Sequence, residues 1–95
     1  MTMTTFDQIS IKIIKEQELI IGPVAWSEAK KVSGFTVIDY KNGEVSLVGD
    51  GKEVINRLVS QYERLFGRAS NQVCKDASKE LIKQLKPEEI PSSLV

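Results

Sequence analysis

An internal repeat is the feature that most constrains the fold of this chain. Residues 9–33 and 54–78 align with each other when the sequence is shifted so that Gly22 falls on Gly67. Apolar residues then coincide at nearly every core position, for example Ile9 with Val54, Ile13 with Leu58 and Ile20 with Leu65. The length of the shift lies in the range typical of duplicated structural units. We therefore expect two similar units in one chain.

The second unit has the clearer helical pattern. Its apolar residues recur at spacings of three and four, which is typical of an amphipathic helix: Val54, Ile55, Leu58, Val59, Tyr62, Leu65 and Phe66. Asp50 followed by Glu53 resembles an N-terminal capping box. Gly67 interrupts the pattern, and a second helix is predicted over residues 68–85, with Ala69, Val73 and Ala77 on its apolar stripe. It must end before Pro87, because a residue that precedes proline avoids helical geometry.

The repeat extends this pattern to the first unit. It predicts a helix, a break at Gly22 and Pro23, and a second helix that ends near Val32. Proline is favoured at the first position of a helix, and Gly34 is suited to end the helix before the next element. Thr5 falls on Asp50, so the expected helix caps coincide as well.

A strand interpretation of residues 6–21 competes with the helical one. Ile9, Ile11 and Ile13 alternate with polar residues, as in a half-buried strand. On this alternative the order is ββαββαα with a four-stranded antiparallel sheet. On the first interpretation the fold is α+β, with two helix–glycine–helix units that flank a central β-hairpin.

The hairpin itself is predicted around Asn42 and Gly43. Runs of β-branched and aromatic residues flank this pair, which is the strongest short-range hairpin signal. A two-residue loop would pair Tyr40 with Val45 and Ile38 with Leu47. One face would then carry Ile38, Tyr40, Val45 and Leu47, and the other Phe35, Val37 and Val48. Both faces would be apolar, so each would need a covering layer.

Length and composition predict one small cytoplasmic domain. The chain has 95 residues, 13 basic and 13 acidic side chains, and a single cysteine, Cys74. We expect residues 1–86 to form the domain and residues 87–95, with two prolines and two serines, to be a flexible tail. Zero net charge argues against a nucleic-acid or membrane footprint over the whole chain. One cysteine and no leader pattern indicate a reducing compartment.

Catalytic chemistry is disfavoured by what the chain lacks. Histidine is absent, which removes the commonest general base and the commonest metal ligand. One cysteine cannot form a zinc site, and no nucleotide-binding glycine motif is present. Cys74 is expected to be a small buried hydrophobe and not a reactive thiol. We therefore expect no enzyme activity, no cofactor and no metal.

The residues around the two glycines also resemble a known motif. Residues 20–25 (IIGPVA) and 65–70 (LFGRAS) are similar to the helix–Gly-Pro–helix phrase of small accessory modules in bacterial signalling proteins, such as those appended to Ser/Thr kinases. The second copy departs from the phrase, with Arg68 in place of proline. The resemblance implies a regulatory or docking role and identifies no catalytic residue.

The main functional hypothesis is a non-enzymatic interaction module. A thin core and a hairpin that is apolar on both faces favour a homodimer that also binds another protein. The expected contacts are Trp26, Phe35, Val37 and Val48, with residues 90–95 as a linear docking element. Trp26 is open to a second interpretation, as a core residue of one unit.

A small DNA-binding regulator is the alternative hypothesis. Residues 64–86 can be interpreted as a helix-turn-helix-like unit with Gly67 in its turn, and they carry six basic and two acidic residues. The side chains expected to contact DNA are Arg64, Arg68, Asn71, Gln72 and Lys75.

Overall fold

The computed structural model describes residues 4–95. Its longer elements, in chain order, are α1 (Thr5–Ile21), α2 (Val24–Ala29), β1 (Phe35–Asp39), β2 (Glu44–Leu47), α3 (Gly51–Phe66) and α4 (Arg68–Ser78). Three short 3₁₀ helices follow, at Leu81–Gln84, Pro87–Glu89 and Ser92–Leu94. The α+β prediction, with two helix–glycine–helix units around a hairpin, is confirmed.

The four-stranded alternative is wrong, because residues 6–21 all lie in α1. Thr4 starts this helix with a capping box: its hydroxyl accepts from the Asp7 N–H, and its own N–H donates to the Asp7 carboxylate, both at 3.1 Å. The cap is thus one residue before the predicted Thr5. The helix buries the adjacent residues Ile9 and Ser10 on one side, whereas adjacent residues of a strand point to opposite faces.

The two units share the same pattern of burial. Five buried positions of α1 coincide with five of α3 under the repeat shift: Ile9 with Val54, Ser10 with Ile55, Ile13 with Leu58, Ile14 with Val59, and Gln17 with Tyr62. The two helices therefore present equivalent faces to one common core.

The breaks between the helices are also alike. Gly22 has φ 79° and ψ −165°, and Gly67 has φ 87° and ψ −178°. Each glycine N–H donates to a carbonyl four residues earlier, that of Glu18 at 2.9 Å and that of Glu63 at 2.8 Å. This backbone region is essentially restricted to glycine, which explains why each unit has a glycine at the break between its helices. We name the breaks at Gly22 and Gly67 the elbows.

The hairpin register differs from the predicted one. Phe35 pairs with Leu47 and Val37 with Val45, and a bulge separates Val37 from Asp39. Residues 40–43 form the loop, in place of a two-residue turn. The Asp39 carboxylate closes this loop by accepting hydrogen bonds from the Lys41 N–H at 3.0 Å and from the Asn42 side chain at 2.6 Å.

The observed register gives the hairpin one inner face. Phe35, Val37, Val45 and Leu47 all contact the core. Ile38, Tyr40 and Val48 are exposed, so the expectation that each face would be covered is wrong. A register that collects four apolar residues on one face is preferred because each shift by one residue moves a strand's side chains to the other face.

Helix α4 is shorter than predicted, and its buried face lies one residue further along the sequence than the predicted stripe. It ends at Ser78 and buries Ser70, Cys74 and Ser78, whereas Ala69 is exposed and Val73 is half-buried. The Ser78 hydroxyl donates to the Cys74 carbonyl at 2.7 Å, a bond that competes with continuation of the helix. The small buried side chains allow α4 to pack closely against α1. Helix α2 likewise ends at Ala29, before the predicted Val32.

The expected flexible tail is instead folded onto α3 and α4. Pro91 and Leu94 are buried, and Leu94 is only 3% exposed. The Ser93 N–H and hydroxyl both donate to the Asn56 side-chain carbonyl, at 3.1 and 2.6 Å. Pro91, Ser93 and Leu94 thus attach this segment to the core. The start of the expected domain, at residue 1, lies outside the described residues.

Candidate interaction surfaces

The four side chains expected to form a partner interface do not share a surface. Trp26 is 5% exposed and Phe35 is equally buried, Val37 is half-buried, and Val48 is exposed. Trp26 lies under Tyr40, with ring centroids 6.3 Å apart. The core interpretation of Trp26 is therefore the one that fits its environment, because α2 is short and its buried face also includes Ala25 and Ala29.

Two buried hydrogen bonds tie the units to each other at equivalent places. The Gln17 side-chain N–H donates to the Ser70 carbonyl at 3.0 Å, and the Tyr62 hydroxyl donates to the Ala25 carbonyl at 2.6 Å. Gln17 is the repeat counterpart of Tyr62, and Ala25 that of Ser70. The bonds are therefore reciprocal, because each unit donates from the same place to the same place in the other unit. The end of each long helix lies beside the other unit's elbow.

Exposed apolar side chains cluster at these two elbows. Leu19 is 81% exposed and Ile20 64%, and Val24, Leu65 and Phe66 are each at least 39% exposed. Leu19 and Ile20 lie just before Gly22 and Val24 lies just after Pro23, whereas Leu65 and Phe66 lie just before Gly67. We name Leu19, Ile20, Val24, Leu65 and Phe66 the elbow surface.

The sequence carried a signal for the elbow surface. Leu19 to Ile21 is an unbroken apolar run, and Leu65 and Phe66 are adjacent just before Gly67. A helix buries a stripe of its surface, so consecutive apolar residues at its end cannot all reach the core. The repeat predicts Ile20 and Leu65 as core residues, and this prediction is wrong because both are exposed.

A second exposed apolar area lies on the outer side of the hairpin. Ile38, Tyr40 and Val48 are each more than half exposed. It has fewer side chains than the elbow surface and no counterpart elsewhere in the repeat. Val48 is the one member of the expected interface set that belongs to it.

The residues expected to contact DNA are brought together in part. Arg68, Asn71, Gln72 and Lys75 line one shallow hollow with Glu63, and Arg64 lines a neighbouring groove. The Asn71 amide donates to the Glu63 carboxylate at 2.7 Å, and the Gln72 amide donates to Asp76 at 2.9 Å.

The backbone around these residues differs from a helix-turn-helix. A single residue, Gly67, separates α3 from α4, whereas the motif has a turn of about three to four residues. The Glu63 carboxylate also lies among the basic side chains, where it would face an approaching phosphate.

The thiol of Cys74 and the phenol of Tyr62 are both buried. Burial raises the pKa of the Cys74 thiol to about 11, and it also raises the pKa of the Tyr62 phenol. Hydrogen bonds from Lys31 and Gln61, at 2.9 and 2.8 Å, hold the pKa of Glu28 below its usual value. Within residues 4–95, no group of three or more Cys, Asp or Glu side chains is arranged to hold a metal ion.

None of the helices described here has both the length and the apolarity that crossing a bilayer requires. Comparison with protein-family models, with curated proteins and with solved structures finds no match to this chain.

Proposed function

We propose that this protein is a non-enzymatic, homodimeric interaction module that associates through the elbow surface. The observation that carries the proposal is the exposure of five apolar side chains beside the two elbow glycines. Contiguous exposed apolar side chains on a small domain are typical of interaction sites. The proposed contacts thus move from Trp26 and Phe35, which are buried, to Leu19, Ile20, Val24, Leu65 and Phe66.

Self-association fits an exposed apolar surface on a small domain. A two-fold dimer uses the same patch on both subunits, so the elbow surface needs no second, complementary patch on the chain. Small domains often gain stability in this way, because their own cores are thin.

A regulatory or docking role is supported by the elbows as well. They contain the residues that resemble the helix–Gly-Pro–helix phrase of bacterial signalling modules. The burial of Cys74 and Tyr62 and the absence of histidine support a function without catalysis. We propose that the dimer also binds another protein.

Sedimentation velocity over a range of protein concentrations tests the dimer. The wild type should shift from monomer to dimer as concentration rises. The double variant Ile20→Ser, Phe66→Ser should stay monomeric and folded, because both side chains are exposed. A matched control, Ile38→Ser, Val48→Ser, changes the outer hairpin face and should dimerise like the wild type. A wild type that stays monomeric at all concentrations would refute the dimer.

DNA binding through residues 64–86 remains the second proposal. The hollow lined by both Arg68 and Lys75 supports this function. The side-chain amides of Asn71 and Gln72 count against it, because they already donate to carboxylates of the chain. A gel shift with duplex DNA at low salt tests it. Binding that weakens steeply with salt and with Arg68→Ala or Lys75→Ala would support this function, and the absence of any shift would remove it.

A further inference from the structure

A polar groove runs along α3 beside the turn that follows α2. Its volume is about 590 Å³, and three basic side chains line it: Lys31, Arg57 and Arg64. The neutral lining consists largely of hydrogen-bonding groups, among them Asn56, Ser60 and Gln61. We name this feature the α3 groove. Its lining suits a polar, negatively charged ligand.

The α3 groove continues into the hollow beside α4. Glu63 lines both, and the hollow adds Arg68 and Lys75 to the basic side chains along this path. Of the five basic groups, Lys31 has a described ion pair, with Glu28 at 2.9 Å. No described carboxylate lies within 4.0 Å of the charged nitrogens of the other four. None of these four is thus neutralised by a direct ion pair, although Arg64 is near enough to Glu28 to help lower the pKa of that carboxyl.

Positive charge is concentrated in the part of the chain that includes Arg64, Arg68 and Lys75. Residues 64–86 have six basic and two acidic side chains, so the rest of the neutral chain has seven basic and eleven acidic ones. The α3 groove lies at the border of the two parts, because Arg64 belongs to residues 64–86 whereas Lys31 and Arg57 do not. A long polyanion would extend beyond these basic side chains over the negative remainder, within the ~8–10 Å range of charge interactions at physiological salt.

The lining favours a peptide over a nucleic acid. None of the described side chains that line the two hollows is aromatic, whereas single-stranded nucleic acids are bound by stacking of bases on aromatic rings. The Glu63 carboxylate would repel any anionic group beside it, but it can accept a backbone N–H, a donor that a peptide has and a sugar–phosphate backbone lacks. The amide of Asn56 can in turn donate to a peptide carbonyl.

The groups in the groove are already held in place. Arg57 donates to the Ser33 carbonyl at 3.2 Å, Gln61 donates to Glu28 at 2.8 Å, and Arg64 donates to Gln61. Side chains fixed before binding lose less conformational entropy when a ligand arrives. A guanidinium group held in this way can bind a carboxylate with two parallel hydrogen bonds.

We propose that the α3 groove binds an acidic peptide segment of a partner protein, with Arg57 and Arg64 as its carboxylate-binding residues. The inference rests on the proposed interaction function and specifies the chemistry of the second partner. The groove does not include the elbow surface, so the dimer and the peptide site are separate features.

Fluorescence anisotropy with a short labelled peptide of alternating Glu and Ala tests the site. The peptide should bind the full-length protein saturably, and a peptide of alternating Lys and Ala should not bind. Arg57→Ala and Arg64→Ala should each weaken binding by about threefold to fivefold, as expected for partly exposed charge pairs. Arg57→Lys keeps the charge but loses the pair of parallel N–H donors, so its affinity should lie between those of the wild type and Arg57→Ala. Lys12→Ala, which removes a basic side chain on α1, is the matched control and should have no effect.

Three outcomes would overturn the proposal. The first is absence of saturable binding, and the second is binding of the basic peptide as tight as that of the acidic one. The third is an affinity of the Arg57→Ala and Arg64→Ala variants equal to that of the wild type. Duplex DNA of the same charge that displaces the peptide and binds more tightly would instead assign the groove to nucleic acid. The elbow variant Ile20→Ser, Phe66→Ser should still bind the peptide. Sedimentation of the same samples reports dimer formation separately, so a failure of the peptide site can be distinguished from a failure of the dimer.

Discussion

The hydroxyl of Tyr62 donates to the carbonyl of Ala25, and this bond has a counterpart in the bond from Gln17 to Ser70. Each donor lies on the long helix of one unit, and each acceptor lies in the first turn of the other unit's short helix. The two bonds thus hold both elbows in fixed positions. The elbow surface depends on this arrangement.

Loss of either bond should destabilise the fold by a similar amount. In Tyr62→Phe the buried bond to Ala25 disappears with little change of shape, and we expect a loss of about 1 kcal/mol. Gln17→Met should cost about the same, because Ser70 loses its partner in the equivalent place. Urea unfolding measures both. Tyr40→Phe, at an exposed tyrosine, should stay within about 0.5 kcal/mol of the wild type.

Substitution of either elbow glycine should have the same cost. A Cβ at Gly22 or at Gly67 would meet no atom within 4 Å, so the penalty comes from the backbone conformation alone. We expect Gly22→Ala and Gly67→Ala each to lose about 1–3 kcal/mol in thermal or urea unfolding.

Gly34→Ala provides a contrast to the elbow glycines. Its Cβ would lie 2.9 Å from the Val48 carbonyl and from a Val54 methyl group, so steric overlap adds to the backbone cost. This variant should be the least stable of the three. Equal stability of all three would show that the close approach at Gly34 relaxes easily, and unequal costs at Gly22 and Gly67 would contradict their equivalence.

The tail should contribute to stability. Leu94→Ala removes a side chain that is 3% exposed, and we expect a loss of about 2–3 kcal/mol. Val95→Ala changes the adjacent residue, which is 78% exposed, and should be nearly neutral. Chemical denaturation of the two variants measures the difference. Similar stability of Leu94→Ala and Val95→Ala would support the flexible tail that the composition of residues 87–95 predicted.

Stability should fall in mildly alkaline solution because of Cys74. Its pKa is raised to about 11 in the folded protein, whereas an unfolded thiol titrates near ~8.5. The thiol therefore favours the folded state below about pH 8.5, and this contribution is lost as the pH rises from there towards 11. Urea unfolding at several pH values should show the decline. It should be smaller in Cys74→Ala, and an equal decline in that variant would assign the effect to other groups.

Much of the fold follows from patterns that are local in sequence. Glycine at an elbow and apolar residues at helical spacing are sufficient to predict α1, α3 and the breaks after them. The repeat correctly favoured a helix over a strand for residues 6–21, although the alternation of Ile9, Ile11 and Ile13 suits either. Burial of Cys74 also follows from its repeat counterpart, Ala29.

Other features depend on contacts that local patterns do not contain. The hairpin register is set by the Asp39 carboxylate and by the core beneath Phe35, and both outweigh the preference of Asn42 and Gly43 for a two-residue turn. The buried face of α4 consists of Ser70, Cys74 and Ser78 because α1 packs close to it, so hydrophobicity alone selected the wrong stripe. The tail composition gave no sign that Asn56 would bind Ser93.

The expected interface residues differ for a related reason. Trp26 and Phe35 are large apolar residues, and the sequence alone does not distinguish a large residue in a thin core from one on a contact surface. The long helices each have more apolar residues near their ends than the core accommodates, and the excess forms the elbow surface.

Amide NMR spectra recorded at increasing protein concentration test most directly whether two copies associate through both elbows. We expect the amide chemical shifts of residues 18–24 and 63–69 to change together with concentration, and those of residues 38–48 to stay constant. Shifts confined to the outer face of the hairpin, or spectra that do not change with concentration, would contradict it.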